Sequence, residues 1–200
     1  MTTNSLRDLT RRAVREEVLS KAWALFAQQG YEATTIDQVA EAAGMSRRTF
    51  FRYFSGKDEL ILERLIEAGE RVATTLAARP ADEPAWPAMR AAFEELVRSQ
   101  EQNATVARAL GQMLRDEAGA RASVEERRHR WLPLLAPLVE TRLPPGPSAA
   151  TRATAVVGAA LACLDAAGAT WLEDDSTPLG ALLDAAMSAL TPLDTREVTP

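Results

Sequence analysis

The sequence predicts an all-α protein with a small N-terminal helix-turn-helix domain followed by a larger helical domain. Three observations carry that expectation. Apolar residues recur at helical spacing along almost the whole chain, while alternating strand patterns are nearly absent. Caps and stops (Gly30, Thr35, Gly44, Ser46, Ser55, Pro80) punctuate the chain at helix-length intervals. Hydrophobic residues make up 46% of the 200, enough for a helical core rather than a disordered chain.

The first helix is expected over about 9–29, where Val14, Val18, Ala22, Leu25 and Phe26 share a face and Gly30 supplies the stop. The second follows in TTIDQVAEAAG. Thr35 and Gln38 have the spacing of a capping box, Ile36, Val39, Ala40 and Ala43 form one face, and Gly44 closes the helix. Ser46 caps a third, short helix, with Met45 and Phe50 placed as a hydrophobic staple. Ser55, with Asp58 three residues on, caps a fourth that runs to Arg79 before Pro80. Beyond it, helices are predicted at about 86–102, 104–118, 121–142, 148–174 and 178–190, with Pro133 and Pro137 kinking or splitting the third of these. PPGP at 144–147 and DDSTP at 174–178 are breaks, and 192–200 reads as a frayed end.

Charge divides unevenly. Residues 1–60 carry nine Arg/Lys and eight Asp/Glu, whereas 61–200 carry fourteen and twenty. The net charge of -5 argues against a nucleic-acid binder, but residues 46–57 hold four cations and no acid. Two of these, Arg47 and Arg48, open a helix, where the dipole disfavours each by ~0.3–1 kcal/mol. Four rings crowd the same stretch. Phe50 and Phe54, four apart, are expected inside, with Phe51 and Tyr53 on other faces. A helix, a glycine turn and a second helix with arginines at its start is the pattern that enters the DNA major groove, and arginine is the side chain that forks onto guanine O6 and N7. Arg7, Arg11 and Arg12 read either as an arm for the minor groove or as a solvated tail, the tail being favoured.

With these residues in place, ALFAQQGYEATTIDQVAEAAGMSRRTFFRYFSGKDEL resembles the DNA-binding domain of the TetR family of bacterial transcriptional regulators. The order G-Y-x-x-T-T, V-A-x-x-A-G-x-S, T-x-x-x-Y-F-x-x-K carries the resemblance, over about a fifth of the chain. It implies a homodimer on double-stranded DNA at a palindromic operator, with a helix-turn-helix domain at 9–57. A ligand-binding and dimerisation domain follows at 58–192. By position, Thr35 resembles the helix-2 cap that also touches phosphate, and Ser46 caps the reading helix. Arg47, Arg48 and Thr49 stand at base-reading positions, and Lys57 at that of a phosphate-contacting lysine. Phe51 stands where the family usually has tyrosine, and Tyr53 where it has histidine. Arg48 replaces a common glycine, adding a base contact, while Phe51 lacks the hydroxyl for a phosphate.

The rest of the chain gives weaker signals. Trp86, Met89, Met113, Trp131 and Cys163 could line a cavity for an unknown small-molecule effector, and core packing explains each equally well. In 148–174, Ala155, Ala159 and Cys163 form one row and Gly158, Ala162 and Ala166 the next. By the resemblance this face, with Leu182 and Met187, belongs to a dimer interface; otherwise it packs inside its own monomer. A single histidine, His129, leaves no histidine pair for a metal, and neither cofactor nor metal is expected. No nucleophile motif or phosphate loop appears, so the chain is read as a non-enzyme. One cysteine, an N-terminus without an apolar segment, and Asp165 within the most apolar stretch suggest a soluble cytoplasmic protein with no membrane contact. The function expected is a ligand-responsive transcriptional regulator, a repressor released from its operator by a small molecule. Two alternatives are a DNA-binding organiser on the same fold with no effector, and an enzyme with an appended helix-turn-helix.

Overall fold

The computed structural model describes residues 6–190, and among these the regular elements are all helices. In chain order they are α1 (Leu6–Gln29), α2 (Ile36–Ala42), α3 (Arg47–Phe50), α4 (Lys57–Ala78), α5 (Ala85–Gln102), α6 (Ala104–Asp116), α7 (Ala118–Glu140), α8 (Ala149–Glu173) and α9 (Leu179–Ser188). The all-helical expectation holds. The frayed end expected over 192–200 lies outside the described residues. Two compact units emerge. The first takes the chain through Leu65 together with Gln112–Glu126, and the second takes Ile66–Gly111 and the chain from Arg127 onward. Three helices, α4, α6 and α7, contribute residues to both.

In the first unit the chain reversals are built from directed hydrogen bonds. Gly30 ends α1 with φ of +84°, which lets its N–H reach the Phe26 carbonyl at 2.9 Å. Thr35 caps α2 and exchanges bonds with Gln38 in a complete capping box. At the other end of α2 the Gly44 N–H reaches the Glu41 carbonyl and the Met45 N–H reaches that of Ala40, each at 2.9 Å. With Gly44 at φ +66° this is a Schellman closure, and it sets the turn into α3. The apolar interior is Val18, Leu19, Ala22 and Phe26 from α1, Val39 and Ala40 from α2, Phe50 and Phe54, and Leu60 and Ile61 from α4.

Three expectations change here. Helix α1 starts at Leu6, so Arg7, Arg11 and Arg12 are helical rather than a loose tail. At the start of α4 the cap runs from Glu59, whose carboxylate accepts the Ser55 N–H at 2.6 Å and its hydroxyl at 2.8 Å. Asp58, expected in that role, instead accepts the Tyr31 hydroxyl. Helix α7 passes through Pro133 and Pro137 without a split. Both prolines are exposed, so the carbonyls four residues earlier that lose their donors can turn to water.

The second unit is an apolar assembly of α5, α8 and α9 with the later turns of α4 and α7. Trp131, Phe93, Met89, Leu76, Leu135 and Leu161 are its large, fully buried side chains. Helix α8 is long and apolar enough to cross a membrane by length and composition, and it sends Ala153, Val157, Ala160, Leu161, Leu164 and Trp171 into this core. Arg142 closes the end of α4 by donating to the carbonyls of Leu76 (2.7 Å), Arg79 (3.2 Å) and Pro80 (2.6 Å), which suits the negative end of a helix. At Gly69 the backbone of α4 lies under the Trp131 indole so closely that a Cβ there would stand 2.5 Å from its Nε1.

Candidate nucleic-acid interface

The turn between α2 and α3 delivers a short helix whose N-terminus faces solvent. Ser46 caps it, its Oγ accepting the Thr49 N–H at 3.1 Å and lying 2.9 Å from Thr49 Oγ1. Arg47 and Arg48 follow at once, both exposed. Below them Phe50 and Phe54 are buried with centroids 5.6 Å apart, as their spacing predicts. Phe51 takes the other face, 46% exposed and edge-on to Phe50 at 5.5 Å. A bare phenyl ring of this size beside two arginines offers apolar contact to a thymine methyl or a sugar.

Arg47 has a partner: its Nη1 lies 3.0 Å from each carboxylate oxygen of Asp37 in the first turn of α2. Its guanidinium carbon also sits 5.4 Å from the Phe51 centroid. Thr35 spends its hydroxyl on the capping box, accepting from Gln38 N at 3.2 Å. Lys57 points inward, donating from Nζ to the Tyr31 carbonyl at 2.7 Å and lying 4.2 Å from that ring's centroid. One of its three donors is therefore committed within the unit. Tyr53 is half-buried, and its carbonyl accepts from Arg15.

Arg15 is a residue that pattern reading missed. Its guanidinium donates from Nε to Glu63 at 2.7 Å, from Nη2 to Glu59 at 3.3 Å and to Glu63, and from Nη1 to the Tyr53 carbonyl, and it lies 4.4 Å over Phe54. Helix α1, the exit of α3 and helix α4 are thus tied at one point. The hydrogen bond to Glu63 raises the Arg15 pKa against the opposing effect of burial. Burial works to raise the Glu59 carboxyl, but the Ser55 bonds and Arg15 outweigh it and hold it below its ordinary value. Tyr31 is a second missed tie. Burial first, then its bond to Asp58, pushes its phenol well above the usual value. A third is Glu117, whose carboxylate accepts the N–H of Tyr31 at 3.3 Å and of Glu32 at 2.7 Å. These partners lie tens of residues away in sequence, so no local motif announces them.

A groove beside the exit of α3 is lined by Leu6, Arg7, Thr10 and Arg11 of α1 with Arg52 and Tyr53. Three arginines converge there, next to the helix that carries Arg47 and Arg48. Arg52 belongs to the cation-rich stretch but has no place in the signature, and only the fold sets it beside α1.

The remaining expected residues lie in different surroundings. Met89, Trp131 and Cys163 are buried together in the core of the second unit, and Trp86 packs on its edge with Nε1 donating to the Met187 carbonyl at 3.2 Å. Met113 is buried in the first unit, apart from that core. Burial raises the Cys163 thiol, as expected of a packed rather than reactive cysteine. On α8, Ala155, Ala162 and Ala166 are exposed and Gly158 and Ala159 half-buried; Leu182 of α9 is half-buried, while Met187 is buried inside its own unit. Among the described residues no cluster of histidine, cysteine and carboxylates is placed to hold a metal.

Comparison with known proteins matches the chain in two stretches. Residues 18–63 match the family model of bacterial regulatory proteins of the tetR family, and residues 83–193 match that of the MftR C-terminal domain. The chain is 39% identical over 92 residues to the HTH-type transcriptional regulator TcmR of Streptomyces glaucescens, covering 46% of this chain and 41% of TcmR. It is 39% identical over 62 residues to the HTH-type transcriptional repressor AcnR of Corynebacterium efficiens, covering 31% of this chain and 33% of AcnR. The matched stretch is thus less than half of either relative. Among solved structures, a TetR-family regulator from Syntrophomonas wolfei superposes with a TM-score of 0.68 at 13% identity, over 94% of this chain and 99% of that one. FadR of Bacillus subtilis, solved with stearoyl-CoA, superposes with a TM-score of 0.60 at 18% identity, over 88% and 96%. At these identities the structural likeness is one of fold.

Proposed function

The chain belongs to the TetR family of bacterial regulatory proteins, and on that premise we propose that it is a ligand-responsive transcriptional repressor, released from a palindromic operator by a small molecule. The observation that carries this reading is the exposed start of α3, where Arg47 and Arg48 follow a capped turn above a ring pair locked in the core. Arg47, Arg48, Thr49 and Phe51 are the base-facing residues in this reading. In the same reading Thr35, Ser46, Tyr53 and Lys57 serve the DNA backbone, Lys57 with the donors left beside its bond to Tyr31, and the groove of Arg7, Arg11 and Arg52 extends that contact.

Two copies related by a two-fold axis supply two reading helices, which calls for an inverted repeat. The exposed alanine face of α8 is the dimerisation surface proposed, since small side chains let two helices approach closely. Helix α4 is the coupling element. It begins at Lys57, places Leu60 and Ile61 in the first unit, and places Val72 and Leu76 in the core of the second. A ligand that favours another tilt of α4 would move the two reading helices off successive major grooves ~34–36 Å apart. A coupling free energy of ~1–3 kcal/mol would lower operator affinity roughly 5–150-fold. The effector class proposed is a largely apolar, weakly charged molecule, because the second unit's core is Trp, Phe, Met, Leu and Ala and the chain beyond residue 60 carries excess acid. The site of action is the cytoplasm, where the DNA is, and no catalysis is proposed.

Selection of duplexes from a random-sequence pool tests the reading directly. An inverted repeat bound by a dimer is the expected outcome. Selected sites without inverted symmetry, or a monomer at micromolar concentration, would overturn it.

A further inference from the structure

The pair between Asp37 and Arg47 is an odd place for an ion pair. The side chains are 66% and 58% exposed, and exposed pairs contribute little to stability. A carboxylate next to a DNA-facing arginine also repels phosphate. On both counts a solvated arginine alone would serve a plain phosphate binder better.

The geometry of the pair suggests what it does. Both carboxylate oxygens of Asp37 are met by a single nitrogen, Nη1, at 3.0 Å each. Among the described residues, Nε and Nη2 of Arg47 have no hydrogen-bond partner, and these two donors share one edge of the guanidinium plane. Their spacing is that of the fork which meets guanine O6 and N7. Phe51 lies against the same group at 5.4 Å, so one contact fixes an edge and another limits the tilt. The backbone that carries Asp37 is fixed: it lies in the first turn of α2, within the Thr35–Gln38 capping box and ahead of the Schellman turn at Gly44.

The geometry points to Asp37 as a positioning residue for sequence reading. It holds Arg47 by one nitrogen and turns the free fork toward a guanine, giving up phosphate attraction for discrimination. This rests on the reading that Arg47 contacts a base. Freezing the side chain before binding lowers the entropy lost on reaching one base edge, while a guanidinium turned elsewhere by a phosphate is no longer available to it.

The test uses the full-length protein, a duplex recovered by the pool selection, single-base-pair variants of it, and a scrambled duplex, all at one salt concentration. Asp37→Ala should bind the scrambled duplex more tightly than the parent, because a negative charge is gone. It should also lower the ratio of selected to scrambled affinity by about tenfold. The lost discrimination should fall on one base pair per half-site, the same pair affected by Arg47→Ala, and combining the two changes should remove no more. Replacing the guanine there with 7-deazaguanine should weaken the parent and leave Asp37→Ala unchanged. A merely structural role for Asp37 would change affinity for all duplexes alike, and thermal melting of each variant reports any loss of folding. If Asp37→Ala keeps full discrimination while Arg47→Ala loses it, the positioning role is wrong and base reading stands. If Arg47→Ala keeps full discrimination, base reading by Arg47 fails and the positioning role with it.

Discussion

The two units of this chain are held together by different physics. The first is small and relies on directed polar ties: a capping box, a Schellman closure, the Arg15 cluster, Tyr31 on Asp58 and Glu117 on two backbone N–H groups. The second relies on apolar volume, with Trp131 and Phe93 among leucines and many alanines. Directed ties set the angle at which a short helix is presented, as the proposed reading of DNA by α3 requires. Volume packing accepts many sequences of similar total volume.

The sharpest way to probe this contrast is to remove volume from the second unit. Trp131→Ala should cost about 3–5 kcal/mol, because a fully buried indole leaves a cavity its neighbours cannot close. Urea denaturation of Trp131→Ala beside Arg15→Met would show whether volume loss there exceeds the loss of a polar tie in the first unit.

Next in size is Arg15→Met, which keeps a stem over Phe54 and deletes the guanidinium. It strands Glu63 and the Tyr53 carbonyl, leaves Glu59 only its Ser55 bonds, and should cost about 2 kcal/mol. Adding Glu63→Gln should return part of that loss, since one stranded charge disappears. A cost near zero, with no effect of the second change, would mean that the ties are ornamental and that both units stand on apolar burial.

The smallest effect expected is one of pH. The folded state holds the Tyr31 phenol above its ordinary value, so its contribution is fully present below the unfolded value of about 10 and is lost as pH rises toward the folded one. At neutral pH Tyr31→Phe should cost about 1 kcal/mol. The gap between parent and variant should narrow as pH climbs above about 10. Stability measured across pH 7–11 checks this.

How much of this was legible beforehand follows the same contrast. Thr35, Gln38, Gly44 and Ser46 stand out in the sequence because each satisfies a backbone group within a few residues, and few side chains can do so. The inward and outward rings of FFRYF were equally readable from their spacing. Arg15 was invisible because its partners lie 38 to 48 residues away. Lys57 was expected on phosphate from its place in the signature, whereas its hydrogen bond to Tyr31 depends on how α1 ends. The grouping of Trp86, Met89, Met113, Trp131 and Cys163 rested on residue type alone, and type does not say which unit a methionine joins: Met113 falls in the first, the others in the second.

The approach of Gly69 to Trp131 couples the sizes of the two side chains. A methyl group at 69 would stand 2.5 Å from the indole Nε1, so 69 cannot grow unless the indole gives way. Growth at 69 becomes neutral only in a background where 131 has already shrunk, and a smaller 131 leaves a void until 69 fills it. The two sites of this chain therefore form one epistatic unit, in which a change of size at one shifts the cost of a change at the other.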